Sequence, residues 1–145
     1  MKQIFTFLTI VAVTLSFSSC SSDDNNDSTG ITVKINGVSK KFKNIEVTEE
    51  VYEDYSDYVI TAEQSDDITK TIEISLGKDL TGPDSIYYIQ YYDGAEFYQS
   101  SDADINANVT ESSNTRIKAT FSSTLSVSEG SGTVIISGGV IDIKP

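Results

Sequence analysis

The sequence has no histidine and no tryptophan, and among its 145 residues only one cysteine, two prolines and ten basic side chains. Each scarcity removes a class of chemistry. Without His there is no Ser-His-Asp or Cys-His pair, and a single Cys allows neither an internal disulfide nor a zinc site of the usual ligands. Ten Lys and Arg against 22 Asp and Glu give a formal charge of -12. Such a chain is a poor partner for DNA, RNA or anionic lipid headgroups, which need cations to neutralise phosphate. No nucleic-acid partner and no cofactor is therefore expected. The length suits one domain.

What is present begins with an address. Lys2 supplies a short positive start, and Ile4 to Phe17 form an uncharged, largely apolar run. That run is shorter than the ~20 residues of a membrane span and suits the middle of a signal peptide, so residues 1–19 are expected to be removed. The stretch Leu15-Ser16-Phe17-Ser18-Ser19-Cys20 resembles a bacterial lipobox, in which cleavage occurs before a Cys already carrying diacylglycerol. The competing reading is an ordinary secretory signal followed by a lone thiol. A lipidated Cys20 would carry two or three acyl chains, each buried CH₂ contributing ~0.8 kcal/mol to membrane attachment.

Residues 21–30 contain no apolar side chain and are expected to be a disordered tether. The Cys followed by Ser and a run of Asp resembles the lipoproteins of Bacteroidota. That resemblance implies export to the outer face of the outer membrane, where a generic acidic linker would imply nothing. Asp27-Ser28-Thr29 and Asp84-Ser85-Ile86 likewise resemble the triplets at which that group O-glycosylates exported proteins.

Residues 31–145 read as all-β. After residue 20 the chain has 24 Ile and Val but only 3 Leu, and β-branched side chains favour pleated sheets over helices. Ile31, Val33 and Ile35 alternate with polar residues, and Asn36-Gly37 then marks a two-residue hairpin. Ile68, Ile72, Ile74 and Leu76 share a parity, as do Ile105, Ala107 and Val109, and again Ile117, Ala119, Phe121 and Leu125. Asp93-Gly94 predicts a second tight hairpin. Gly138-Gly139 within the closing apolar stretch predicts a bulge or bend where the strand changes sheets. Residues 44–52 and 57–64 read as a hairpin with its tip at Glu53–Asp57, although Val47, Val51, Tyr55 and Tyr58 also fit a short helix. The expected architecture is a single antiparallel β-sandwich or barrel-like domain of about eight or nine strands.

Three short motifs carry a further likeness. Val33-Lys34-Ile35-Asn36-Gly37, Ile74-Ser75-Leu76-Gly77-Lys78-Asp79-Leu80 and Arg116 to Phe121 together resemble a family of small secreted Bacteroidota lipoproteins of unknown function. The resemblance implies a fold but no activity.

Few residues suggest chemistry. Six carboxylates crowd residues 46–57, which would suit a hard cation or simply a solvated turn. Asp102-Ala103-Asp104-Ile105-Asn106 opens like a calcium loop, but Ala107 and Ser113 stand where Gly and Glu are needed, so no metal site is assigned. The densest aromatic patch is Tyr87, Tyr88, Tyr91, Tyr92, Phe97 and Tyr98. On a strand, Tyr87, Ile89 and Tyr91 face one way and Tyr88, Gln90 and Tyr92 the other. Tyr88, Tyr92 and Tyr98 are the candidate ligand-binding side chains, stacking on sugar rings or else simply pairing across strands.

The chain is thus expected to be a lipid-anchored, surface-exposed, non-catalytic binding or structural module, held to the membrane through Cys20. Its expected partner is a glycan or an envelope protein complex. The alternatives are a lipocalin-like carrier of a small apolar ligand and a carboxylate-dependent hydrolase.

Overall fold

A computed structural model describes residues 29–128 and 130–145. The expectations for the signal segment, for Cys20 and for the tether up to Ser28 lie outside the described residues. Nine antiparallel strands follow in chain order: β1 (Gly30–Ile35), β2 (Val38–Val51), β3 (Ser56–Gln64), β4 (Asp67–Gly77), β5 (Ile86–Tyr92), β6 (Phe97–Gln99), β7 (Ile105–Ser112), β8 (Ile117–Val127) and β9 (Thr133–Ile143). They form one sheet in the order β6-β5-β4-β3-β2-β1-β9-β8-β7. β6 also pairs with β8, Tyr98 opposite Val127 and Gln99 opposite Ser126, which curls the sheet into a barrel-like ring. The fold class is the one the alternation predicts.

Alternation fills the inside of the ring. Ile31, Val33, Ile60, Ile72, Ile74, Leu76, Ile89 and Leu125 are all buried there. The first hairpin turns on Asn36 and Gly37, both at positive φ (48° and 83°), the twist that a two-residue turn between right-twisted strands requires. Asn36 also accepts the Ile135 N–H on its Oδ1 at 2.9 Å, tying that turn to β9. Residues 44–64 are a hairpin and not a helix. β2 bulges at Asn44 (φ 50°), and Val47 then lies opposite Ile60 and Val51 opposite Ser56.

Bulges correct two parity expectations. Gln64 pairs with Asp67 while Glu63 pairs with Thr71, so extra β4 residues are looped out and Ile68 is 61% exposed. Ser75 pairs with Tyr88 while Leu76 pairs with Ile86, so Ile86 takes the inward place expected of Tyr87, which is exposed. The glycine pair does form a bulge, with Gly138 at φ 55°. It does not move β9 to another sheet: β9 keeps β1 and β8 as neighbours throughout, and Gly139 faces Phe121 across the β8–β9 ladder.

The ring is held at its last seam by few bonds. β5 runs alongside β7, and the bonds at this seam come from the β4–β5 connection: Gly82 and Val109 exchange backbone bonds of 2.8 and 3.0 Å, and Asp79 N–H donates to the Ser112 carbonyl at 3.0 Å. Ser100, just after β6, donates its N–H to the Ile89 carbonyl and accepts the Ile89 N–H on its Oγ, both at 2.9 Å, which extends the β5–β6 ladder by one pair.

Candidate functional site

Register places a compact grid of side chains on the outer face of β4, β5 and β6. Along β5, Tyr88, Gln90 and Tyr92 point outward, because Ile89 and Tyr91 between them are buried. Their β4 partners are Ser75, Glu73 and Thr71, and on β6 Gln90 meets Gln99 while Tyr92 meets Phe97. The Asp93 carboxylate accepts the N–H groups of Ala95 and Glu96 at 2.9 Å each, closing the hairpin that fixes this register. Those bonds hold the Asp93 carboxyl below its usual range, the Glu96 N–H contributing most.

Within the grid the Phe97 ring is 53% exposed and braced by Tyr92, their centroids 4.5 Å apart at 30°. Gln90 Nε2 donates to the Tyr88 hydroxyl at 2.9 Å. Burial, and then the nearby Glu73 charge, push the Tyr88 hydroxyl above its ordinary pKa, keeping it a neutral donor and acceptor. Gln90, Phe97 and Gln99 line an open cleft of about 550 Å³ with Glu96, Val127 and Ser128. An apolar ring face beside two amides, each offering donors and an acceptor, can stack on a polyhydroxylated ring and satisfy its hydroxyls.

Of the three candidate tyrosines, two share this face and one does not. Tyr98 pairs with the inward Tyr91 and packs against the core, its hydroxyl donating to Asp93 Oδ2 at 3.3 Å. Phe97, one residue earlier, stands where Tyr98 was expected. Cys20 and Ser28 lie outside the described residues. Ser85 is only 5% exposed, which withholds its hydroxyl from glycosylation of the folded protein. Asp102–Asp104 form a single 3-10 turn in which Ser101 Oγ donates to Asp104 Oδ2 at 2.6 Å. Among the described residues no group of three or more acidic side chains is arranged to hold a metal ion.

A second concave surface lies at the other end of the ring, at the carboxylate-rich stretch that suits a hard cation or a solvated turn. The β2–β3 tip and the segment Lys78–Leu80 enclose an open cavity of about 540 Å³. The pairing of Tyr52 with Tyr55 across a tight turn was the signal available for it. Comparison of the chain with family models, with curated proteins and with solved structures finds no match.

Proposed function

We propose that the chain is a non-catalytic, lipid-anchored binding module whose outer β4–β6 face takes a glycan. The carrying observation is the exposed Phe97 ring, braced by Tyr92 and flanked by the directly paired Gln90 and Gln99. One property supports a surface binder over the lipocalin-like carrier: the inward positions are occupied by one cluster of apolar side chains. Anchoring rests on the resemblance of residues 15–20 to a lipobox, with the acidic residues after Cys20 favouring the outer face of the outer membrane.

Glycan-array binding of the protein is expected to fall about tenfold on Phe97→Ala and comparably on Gln90→Ala, the loss of ~1.4 kcal/mol of contact. Tyr98→Phe, on the inner side, is expected to leave it unchanged. An array signal that survives Phe97→Ala removes the glycan reading. Mass spectrometry of the protein from its native envelope is expected to show Cys20 as the first residue, carrying acyl chains. An unmodified Cys20 thiol removes the anchor.

A further inference from the structure

We infer that the β2–β3 tip is a docking site for arginine side chains of a partner protein, separate from the glycan face. Bulky apolar groups gather here in the open. Tyr52, Tyr55 and Leu80 are all exposed, Tyr55 at 60%, and line the cavity. The turn is stiff: Tyr52 N–H bonds to the Tyr55 carbonyl at 2.8 Å and the two rings stack at 4.6 Å and 22°. Preformed aromatic faces of this kind lose little freedom when a ligand stacks on them.

Charge identifies the occupant. Glu53, Asp54 and Asp57 line the same cavity. Lys78 at its rim is already committed, its Nζ 2.7 Å from Glu49 and 5.8 Å from the centre of the Tyr58 ring. Glu50 and Asp57 stand directly opposite one another across β2 and β3, which adds to the negative charge at this tip, and Asp57 also takes a hydrogen bond from Tyr87. Tyr52 already spends its hydroxyl on Glu50 at 2.7 Å. The carboxylates are dispersed, and no three among the described residues converge as a metal ion requires. A guanidinium fits better. It is planar, stacks on aromatic faces, donates along two edges to separate carboxylates, and carries an apolar stem that Leu80 can cover.

The test uses the isotopically labelled protein titrated with a capped Arg-Leu-Arg peptide at physiological salt, followed by NMR. Shifts are expected at residues 50–57 and 78–80 and not on β6. Tyr52→Ala/Tyr55→Ala, which leaves the charge intact, is expected to weaken binding about tenfold, the scale of two lost cation–π contacts. Glu53→Gln/Asp54→Asn, which leaves both rings in place, is expected to weaken it as well, and a Lys-Leu-Lys peptide of equal charge to bind less tightly. Phe97→Ala is expected to change nothing, so this inference and the glycan reading fail separately. Shifts spread over the acidic surface, equal affinity for the lysine peptide, or full binding by the tyrosine variant would each overturn it.

Discussion

Gly139→Ala is expected to destabilise the fold by about 1–3 kcal/mol, the usual cost of overpacking a filled core. A Cβ at this position would meet three Phe121 ring atoms at 2.6 to 2.7 Å. The Phe121 ring is itself buried, and it lies over the bare glycine backbone directly opposite. The ring is 3% exposed, whereas Leu80, above Gly77, is a surface side chain that can move aside. Phe121→Ala is expected to cost more, about 3–5 kcal/mol, because it leaves a ring-sized void. The two changes should not add. With the ring gone, alanine at 139 enters empty space, so its cost in the Phe121→Ala background is expected to shrink towards zero. Denaturant melts of the four proteins measure this. Additive losses would mean that the ring-on-glycine contact is not what excludes a side chain from position 139.

Tyr91→Phe is expected to cost about 1–3 kcal/mol, although it removes a single oxygen. Gln64 is 1% exposed, and its Oε1 accepts the Tyr91 hydroxyl at 3.0 Å while its Nε2 donates to Asp66 at 2.7 Å. Phenylalanine leaves that Oε1 buried beside nothing that can donate, so the penalty is desolvation and not lost packing. The same hydroxyl has a pH signature. Burial, and then the surrounding carboxylates led by Asp93, push Tyr91 from 10.0 up to about 12. Folding therefore favours its neutral form. That contribution is complete below pH 10, where the unfolded hydroxyl is also neutral, and is lost as pH rises through about 12. Tyr91→Phe should accordingly lose less stability than the parent between those limits, with the other raised tyrosines, Tyr52, Tyr58, Tyr87, Tyr88 and Tyr98, contributing to the remaining fall. Parallel alkaline profiles for parent and variant would contradict the assignment.

The strands were legible wherever two residues per repeat ran on undisturbed. Ile31, Val33 and Ile35 before Asn36-Gly37 could be read straight into β1 and its turn, since chirality leaves that pair few other uses. What hid was each place where an extra residue enters the ladder. A bulge costs little and leaves no fixed mark in composition, yet it reverses every side chain after it. That is why Ile68 lies outside although it shares the parity of Ile72, and why Tyr87 leaves the face of Ile89. Tyr98 is a different error. The four residues Asp93 to Glu96 close a loop that sets Tyr92 against Phe97, and from that pairing Tyr98 must join Tyr91 on the inner side. Loop length carried the answer, and counting aromatics missed it. The spacing of Tyr52 and Tyr55 marks the tip itself, but their meeting with Leu80 has no local sign. It depends on Lys78–Leu80 folding back beneath a tip that lies more than twenty residues earlier.

The pairing of β1 with β9 also governs how the molecule is born. Gly30 lies beside Asp142 and Ile31 beside Ile141, so the first strand finds its second neighbour only after about a hundred further residues. So long a separation in sequence makes this contact slow to close as the chain folds. Until it closes, one edge of β1 offers unpaired N–H and C=O groups, an invitation to the wrong strand. Lys34, Lys40 and Lys41 crowd the β1–β2 hairpin in a chain otherwise short of positive charge. Like charge on that hairpin repels a second copy of itself while leaving the acidic remainder free to approach. The scarce lysines are spent where the unfinished protein is most exposed to its own neighbours.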